Sequence, residues 1–264
     1  PRCHPWITFD RQSIRLFPSL IYIVKFCLIQ HEAVEESQLL NNIEINNELI
    51  ESIEGENKEN TNRSLDSDNE QLERMLKIQT IQKVNPDIVG WIEINGTNIN
   101  YPVLQGKDDE YYLTHNYKKQ KSEKGSIFLS KSYDWSLPSS NLLIYGHNLT
   151  NGQMFKDLLK YSDEEFYKKH PIIRFTTNNK DTEFEIISVF KSRVYYKNEK
   201  NVFRYYDFIN ANTEKEYNRF VKNAKEASLY NINKTAKYGD QLITLVTGAV
   251  WTDTDGAVIN AHGG

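Results

Sequence analysis

The chain has 264 residues, of which 39% are hydrophobic and 12% aromatic, and its formal net charge is −4. This length allows one large domain, or one domain with an extended flank, and the apolar content is sufficient for a core. The slightly acidic balance gives no electrostatic basis for binding nucleic acid, so we expect no such partner. The two cysteines, Cys3 and Cys27, form no C-x-x-C pair, and they predict neither a disulfide framework nor a zinc site. We interpret Cys27, which lies in an apolar run, as a small hydrophobe.

The first 71 residues differ in character from the rest of the chain. Ser19 to Ile29 is apolar except for Lys25. A bilayer-spanning helix needs about 20 apolar residues, and this run is shorter. We interpret 1–31 as a tail or a degraded membrane anchor, the alternative being an ordinary amphipathic or disordered tail. Residues 32–71 are polar and rich in Asn and Glu, which predicts a linker or helical stalk.

The compact domain is predicted over residues 72–264, beginning with a helix that ends before Asn85-Pro86. Asn95-Gly96 separates two apolar runs, which is a strong hairpin signal. Thr213 can cap a helix over 213–229, with Glu216 three residues on. Further helices are predicted at 153–161 and 163–169, and further strands at 125–129, 142–145, 172–176, 184–194, 242–247 and 257–261. Many strands with few helices predict a mainly β fold with helices (α+β), a closed or nearly closed β-barrel.

One histidine stands out by its position. The apolar run Leu142 to Tyr145 predicts a buried strand, Gly146 breaks it, and His147 follows at the exit. A rigid strand that delivers an imidazole into an open loop is a common way to build a catalytic site, although a surface histidine is the alternative. His115 and His170 match no motif and are predicted to be surface residues, whereas His262 lies in the C-terminal tail.

Several segments, in this order and spacing, resemble the class B sortases, which are cell-surface cysteine transpeptidases of Gram-positive bacteria. The segments are Val89 to Ile92, Asn98 to Gln105, Asp108 to Leu113, Ile144 to Asn148, Met154-Phe155 and Leu242 to Thr247. The resemblance covers about residues 72–248. It implies an eight-stranded β-barrel with an N-terminal helical extension, carried by a membrane anchor on the extracellular face of the cell membrane.

The resemblance also implies a reaction. A cysteine thiolate attacks the carbonyl of a Thr in a sorting signal, and an amine of a peptidoglycan precursor resolves the thioacyl-enzyme. A histidine, here His147, protonates the leaving amine and deprotonates the incoming one. An arginine holds the developing oxyanion or the substrate backbone. Neither a cofactor nor a metal is implied.

The chain departs from the family pattern at two of these three groups. Where the family strand reads Thr-Leu-x-Thr-Cys, this chain reads Thr244 to Gly248, so the nucleophile position holds Gly248. The arginine position falls on Gly256 or Ala257. Because neither residue can replace the missing group, we expect little or no transpeptidase activity from the chain as written. An altered form of an active enzyme, a sequence mis-assigned at its ends and a natural pseudoenzyme all fit this loss.

The substrate groove can be placed only through the resemblance. The segment that includes Asp109 and Leu113 lines the family's groove, and Thr247 lies beside the nucleophile position. Tyr195 and Tyr196 are candidates for the opposite wall. The alternative for each of the five is ordinary core or surface packing.

The leading interpretation is therefore a sortase B-type enzyme that cleaves after Thr and anchors surface proteins to peptidoglycan. A non-catalytic module that binds the sorting-signal peptide is the second. An unrelated extracellular β-barrel adhesin is the third, and it requires the motif matches to be accidental.

Overall fold

The computed structural model describes residues 22–31, 34–35, 65–137, 140–247 and 256–263. Residues 22–31 and 34–35 are helical, and three α-helices lie further along the described chain: α1 (Leu65–Gln82), α2 (Glu164–Lys169) and α3 (Glu214–Ala227). Short 3-10 helices cover Tyr111–Leu113, Lys156–Ser162 and Tyr205–Asp207. Among the described residues, every helix falls short of the length and apolar character that crossing a bilayer requires.

The eight strands of the described chain close into a mixed barrel in the order β1-β2-β3-β4-β7-β8-β6-β5, which confirms the predicted fold. Their bounds are β1 (Ile88–Glu93), β2 (Asn100–Leu104), β3 (Ile127–Leu129), β4 (Asn141–Gly146), β5 (Ile172–Thr176), β6 (Asp181–Ser192), β7 (Gln241–Thr247) and β8 (Gly256–Gly263). Two neighbouring pairs, β2–β3 and β4–β7, run parallel, and the other pairs are antiparallel.

The predicted hairpin is confirmed between β1 and β2. Ile94 N–H donates to Ile99 O over 2.9 Å, and Gly96 takes a φ of +76° in the turn. A Cβ at Gly96 would lie 2.5 Å from the His170 ring. His170 packs against this turn and its Nδ1 lies 2.8 Å from Asn95 O, so the ring has a structural contact that the sequence did not reveal.

Several predicted boundaries were wrong. Helix α1 begins at Leu65 rather than near Leu72, and its first turns lie in the segment predicted as a linker or helical stalk. The predicted helix over 153–161 is a 3-10 helix that begins at Lys156. His262 lies in strand β8, paired with Leu242, rather than in a tail. Cys27, interpreted as a small hydrophobe, is a free and exposed cysteine.

The barrel wall separates two cores because side chains alternate along each strand. The inner core fills the barrel with residues such as Ile144, Leu245 and Ile259. The outer core holds Leu143, Val246 and neighbouring side chains on the opposite face of the same strands. Helices α1 and α3 cover this outer face, and the predicted apolar stripe of α3 is buried there: Tyr217, Phe220, Val221 and Ala224.

The predicted cap of α3 is present and gives a test of local stability. Thr213 Oγ1 accepts a hydrogen bond from Glu216 N–H over 3.2 Å. Replacing Thr213 with Ala leaves that amide without its partner, and we expect a loss of about 1 kcal/mol in the free energy of unfolding. Urea denaturation measures it, with Lys215→Ala on the exposed side of the same helical turn as the control. Equal stability of the two variants would show that the cap contributes nothing.

Candidate active site

His147 leaves the barrel at the end of β4. The residue before it, Gly146, is buried, and a Cβ there would lie 2.4 Å from Ile127 Cδ1 and 2.7 Å from the Phe155 ring. Glycine therefore lets the strand end pass closely over the inner core. The half-buried His147 ring lies with Nε2 3.1 Å from Leu113 O. Because a carbonyl oxygen only accepts, Nε2 carries a proton in this contact.

The loop that follows His147 is tied back to the barrel. Phe155 N–H donates to His147 O over 2.8 Å, and Asn148 pairs with Met154 in an isolated bridge. The buried Tyr101 hydroxyl accepts from Met154 N–H at 3.0 Å. These bonds fix the backbone that follows the imidazole, as a catalytic group would require.

Strand register gathers the other predicted catalytic positions at the same end of the barrel. In the parallel β4–β7 pair, Gly146 lies opposite Thr247. In the antiparallel β7–β8 pair, Thr247 lies opposite Ala257, and Gly256 begins β8. His147, the end of β7 and the start of β8 are therefore neighbours, although His147 precedes the other two by about a hundred residues in the sequence. Gly248 itself lies outside the described residues.

A cavity of about 240 Å³ opens on the outer face of the barrel near this end. Its floor includes Tyr145 and Phe128, whose rings lie 5.4 Å apart. Burial raises the pKa of the Tyr145 and Tyr205 phenols well above their usual range. A tyrosine hydroxyl is protonated at neutral pH even without such a shift, so both groups can donate hydrogen bonds. The full lining is Asp109, Phe128, Ser130, Ser132, Tyr145, Val194, Tyr205 and Tyr206.

Two of the predicted groove residues lie at this site. Asp109 lines the cavity, and its carboxylate accepts from Lys131 N–H at 2.6 Å and from the Ser130 hydroxyl at 3.2 Å. Leu113 does not line the cavity, but its carbonyl contacts the imidazole of His147. The short helix Tyr111–Leu113 thus connects the cavity wall to the histidine.

The other three predicted groove residues do not line this cavity. Thr247 is fully buried, and alternation along β7 places it with Leu245 on the inner face. Tyr195 stacks with the Arg193 guanidinium, 4.8 Å from the ring centroid, and its N–H donates to the Tyr206 hydroxyl. Tyr196 is exposed.

Sequence reasoning missed the side chains that do form the opposite wall. Val194, Tyr205 and Tyr206 contribute it, and all three belong to the connection between β6 and β7 from which Tyr195 and Tyr196 were chosen. The one available signal was the dense run of aromatic residues from Phe203 to Phe208.

In the described part of the chain, no group of three or more His, Cys, Asp or Glu side chains is arranged to hold a metal ion.

Comparisons with known proteins agree with this arrangement. A family model described as the sortase domain matches residues 92–262. The chain is 35% identical to sortase B of Listeria monocytogenes over 175 residues. This alignment covers 65% of this chain and 66% of that relative. A crystal structure of sortase B from Bacillus anthracis in complex with AAEK1 has a TM-score of 0.62 at 33% identity and covers 71% of this chain and 83% of that one. A Staphylococcus aureus sortase B–substrate complex has a TM-score of 0.64 at 26% identity, and it covers 74% of this chain and 91% of that one.

The chain therefore belongs to the sortase family, and it spans about two thirds of the length of the curated relatives it matches. The relatives and structures that it matches are sortases of class B, and the eight-stranded barrel is theirs as well.

Proposed function

We propose that this chain has the architecture for the class B sortase reaction, in which a sorting signal is cleaved after Thr and joined to a peptidoglycan amine. The observation that supports it is the meeting of His147, the end of β7 and the start of β8 beside a cavity of about 240 Å³. In that reaction, the thiolate of a cysteine one residue beyond Thr247 attacks the carbonyl carbon of the Thr in the sorting signal. The leaving amine takes its proton from His147, and the acceptor amine later returns a proton to it. The host would be a Gram-positive bacterium and the setting its cell surface.

We propose further that the chain as written has little or no turnover, because Gly248 supplies no nucleophile. Thr247 cannot replace it. Its hydroxyl is buried and makes no hydrogen bond within the described structure, so no base is in reach to activate it. The same observation favours a second candidate function, that of a module which binds the sorting signal without cleaving it.

Both functions require that the 240 Å³ cavity bind a sorting peptide. The floor and walls combine aromatic rings, the apolar Val194 and a few polar groups, as peptide-binding clefts do. The hydroxyls of Tyr145 and Tyr205 can donate to peptide carbonyls, whereas Asp109 already accepts from the Ser130 hydroxyl and the Lys131 N–H.

We expect the unmodified chain to bind a fluorescent peptide that contains an Asn-Pro-x-Thr motif. Val194→Asp places a carboxylate in the wall, and we expect the Kd to rise by about tenfold or more because the charge must be desolvated against the peptide. Leu229→Asp is the matched control, since Leu229 is 46% exposed, close to the 38% of Val194, and does not line the cavity. Fluorescence anisotropy measures both affinities. Equal weakening by the two variants, or no binding by the parent, would contradict the placement of the groove.

A further inference from the structure

The loop that follows His147, residues 148–155, contains a backbone conformation that residues with a side chain rarely adopt. Met154 has a φ of +57°, in the left-handed region of backbone conformations. It directly precedes Phe155, whose N–H donates to His147 O over 2.8 Å. A residue other than glycine stays in this region only where its surroundings hold it there, and such residues concentrate at functional sites. The contacts that hold Met154 therefore bear on the position of the imidazole.

Tyr101 holds Met154 from strand β2. Its hydroxyl accepts from Met154 N–H at 3.0 Å, and both side chains are buried in the inner core. Tyr101 is fixed in turn, because it pairs with Ile92 in the β1–β2 ladder. Without this hydroxyl, the Met154 amide would lose its acceptor in a buried site, which favours a rearrangement of the loop.

Asn98 holds the same loop two residues earlier. Its Nδ2 donates to Gly152 O over 3.0 Å. Gly152 has a φ of +89°, and a Cβ there would lie 3.3 Å from Asn98 Nδ2, so glycine permits both the conformation and the close approach. The Asn98 backbone is anchored as well, because its N–H donates to Oδ2 of the buried Asp157 over 2.9 Å. Asp157 also forms an ion pair with Lys160 at 2.8 Å.

The hairpin that makes both contacts is itself well fixed. Thr97 Oγ1 donates to Ile94 O over 2.8 Å and accepts from Ile99 N–H at 3.1 Å. The His170 ring packs against the same turn, with Nδ1 2.8 Å from Asn95 O. Because the turn is held on both sides, the β1–β2 hairpin can keep the loop in one position rather than move with it.

We propose that Asn98 and Tyr101 are positioning residues for His147. Together they hold the loop of residues 148–155 from the β1–β2 hairpin, and they thereby fix the imidazole relative to the nucleophile position. The inference rests on the proposed function, in which His147 transfers the proton. Neither Asn98 nor Tyr101 lines the 240 Å³ cavity. Their loss should therefore slow the chemical step and leave the affinity for the sorting peptide unchanged.

The first measurement is ¹⁵N relaxation of the whole chain, which needs no turnover. Tyr101→Phe keeps the ring and removes the acceptor of the Met154 amide, and Asn98→Ala removes the donor to Gly152. We expect each variant to lower the backbone order parameters of residues 148–154 from about 0.85, typical of a rigid backbone, to about 0.6.

Each variant has a matched control away from the loop. Tyr217→Phe removes the hydroxyl of another buried tyrosine, which donates to Asp240 O over 2.8 Å just before β7 begins. His147 lies at the other end of that strand. Asn218→Ala removes an exposed amide that donates to Glu214 on α3. We expect both controls to leave the order parameters of the loop unchanged.

The second measurement is peptide cleavage by a chain that carries Gly248→Cys and Gly256→Arg. Adding Asn98→Ala or Tyr101→Phe should lower kcat about tenfold, because the imidazole spends less time in its reactive position. KM should stay within about twofold, since neither side chain lines the cavity. The two controls should change neither constant, so a fall in kcat is not explained by the loss of a hydrogen bond elsewhere in the fold.

Unchanged order parameters in Asn98→Ala and Tyr101→Phe would overturn the proposal. An equal fall in kcat in Tyr217→Phe, or a rise in KM at constant kcat, would overturn it as well. Circular dichroism shows whether each variant has folded, and if Tyr101→Phe has not, Asn98→Ala at its exposed position decides alone. If the chain with both glycine replacements cleaves no peptide, the proposed reaction has failed, and the order parameters still decide this proposal.

Discussion

A chain that carries both Gly248→Cys and Gly256→Arg will cleave a quenched fluorescent sorting peptide after Thr, and the parent chain will not. The cysteine supplies the nucleophile, and the arginine supplies the charge that stabilises the oxyanion. Removing one oxyanion donor typically costs about 10²–10³-fold in rate, so we expect Gly248→Cys alone to be slower by a factor of that order. Mass spectrometry of the products identifies the bond that is cut.

The register of β8 decides where the arginine belongs. Val258 lies in the outer core and Ile259 in the inner core. Continuing the alternation backwards, an arginine at position 256 is expected on the outer face, with Val246 and Tyr145, and one at position 257 on the inner face. Ala257→Arg in the Gly248→Cys background is thus a matched control. We expect it to remain as slow as the single variant, or to lose stability because it buries a charge.

Two further variants separate the outcomes. His147→Ala in the restored chain should abolish cleavage, and a thiol-blocking reagent should do the same, because the imidazole and the thiolate act as one unit. Cleavage by the parent at the rate of the restored chain would refute the assigned nucleophile position. If the restored chain binds peptide without cleaving it, the binding-module function is supported instead.

Short-range patterns predicted the barrel well for identifiable reasons. The Asn95-Gly96 turn, the apolar runs of β4 and β7, and the Thr213 cap each depend on residues that are close in sequence, so their physics is local. The position of His147 was also local, since it depends on the break at Gly146. The residues alone did not predict that β4, β7 and β8 lie beside one another. The resemblance to sortases provided that expectation.

The contacts that hold the loop after His147 and the wall of the cavity were harder to predict because they depend on residues distant in sequence. Gly152 is held by Asn98, 54 residues away, and no periodic pattern marks either residue. Within 194–206, the sequence could not distinguish the cavity-lining Val194 and Tyr206 from Tyr195 and Tyr196. That segment is largely irregular, so it has no alternation from which faces could be assigned. His262 was placed in a tail because the weak strand signal of 257–261 stopped one residue short of it.

Buried polar side chains on four adjacent strands form another feature that the sequence did not reveal. The Thr244 hydroxyl lies 2.8 Å from Asn141 Oδ1 and also accepts from Asn260 Nδ2. Ser188 Oγ lies 3.3 Å from Asn260 Oδ1, and Asn141 Nδ2 donates to Phe208 O. Except for Phe208, all of these residues are fully buried. The chain of hydrogen bonds joins β6, β8, β7 and β4 to the connection that forms the cavity wall.

Thr244→Val will therefore destabilise the protein by about 2–3 kcal/mol, because it leaves an amide group on each side without its partner in a buried site. Thr247→Val is a matched control on the same strand. Thr247 is equally buried, but within the described residues its hydroxyl has no hydrogen-bond partner. Removing an unsatisfied hydroxyl should change the free energy of unfolding by less than about 0.5 kcal/mol or increase it.

Urea denaturation of both variants beside the parent measures the difference, and Thr244→Ser, which keeps the hydroxyl, should recover most of the loss. Equal destabilisation by the two valine variants would show that burial of the threonine, and not the hydrogen-bond chain, sets the cost.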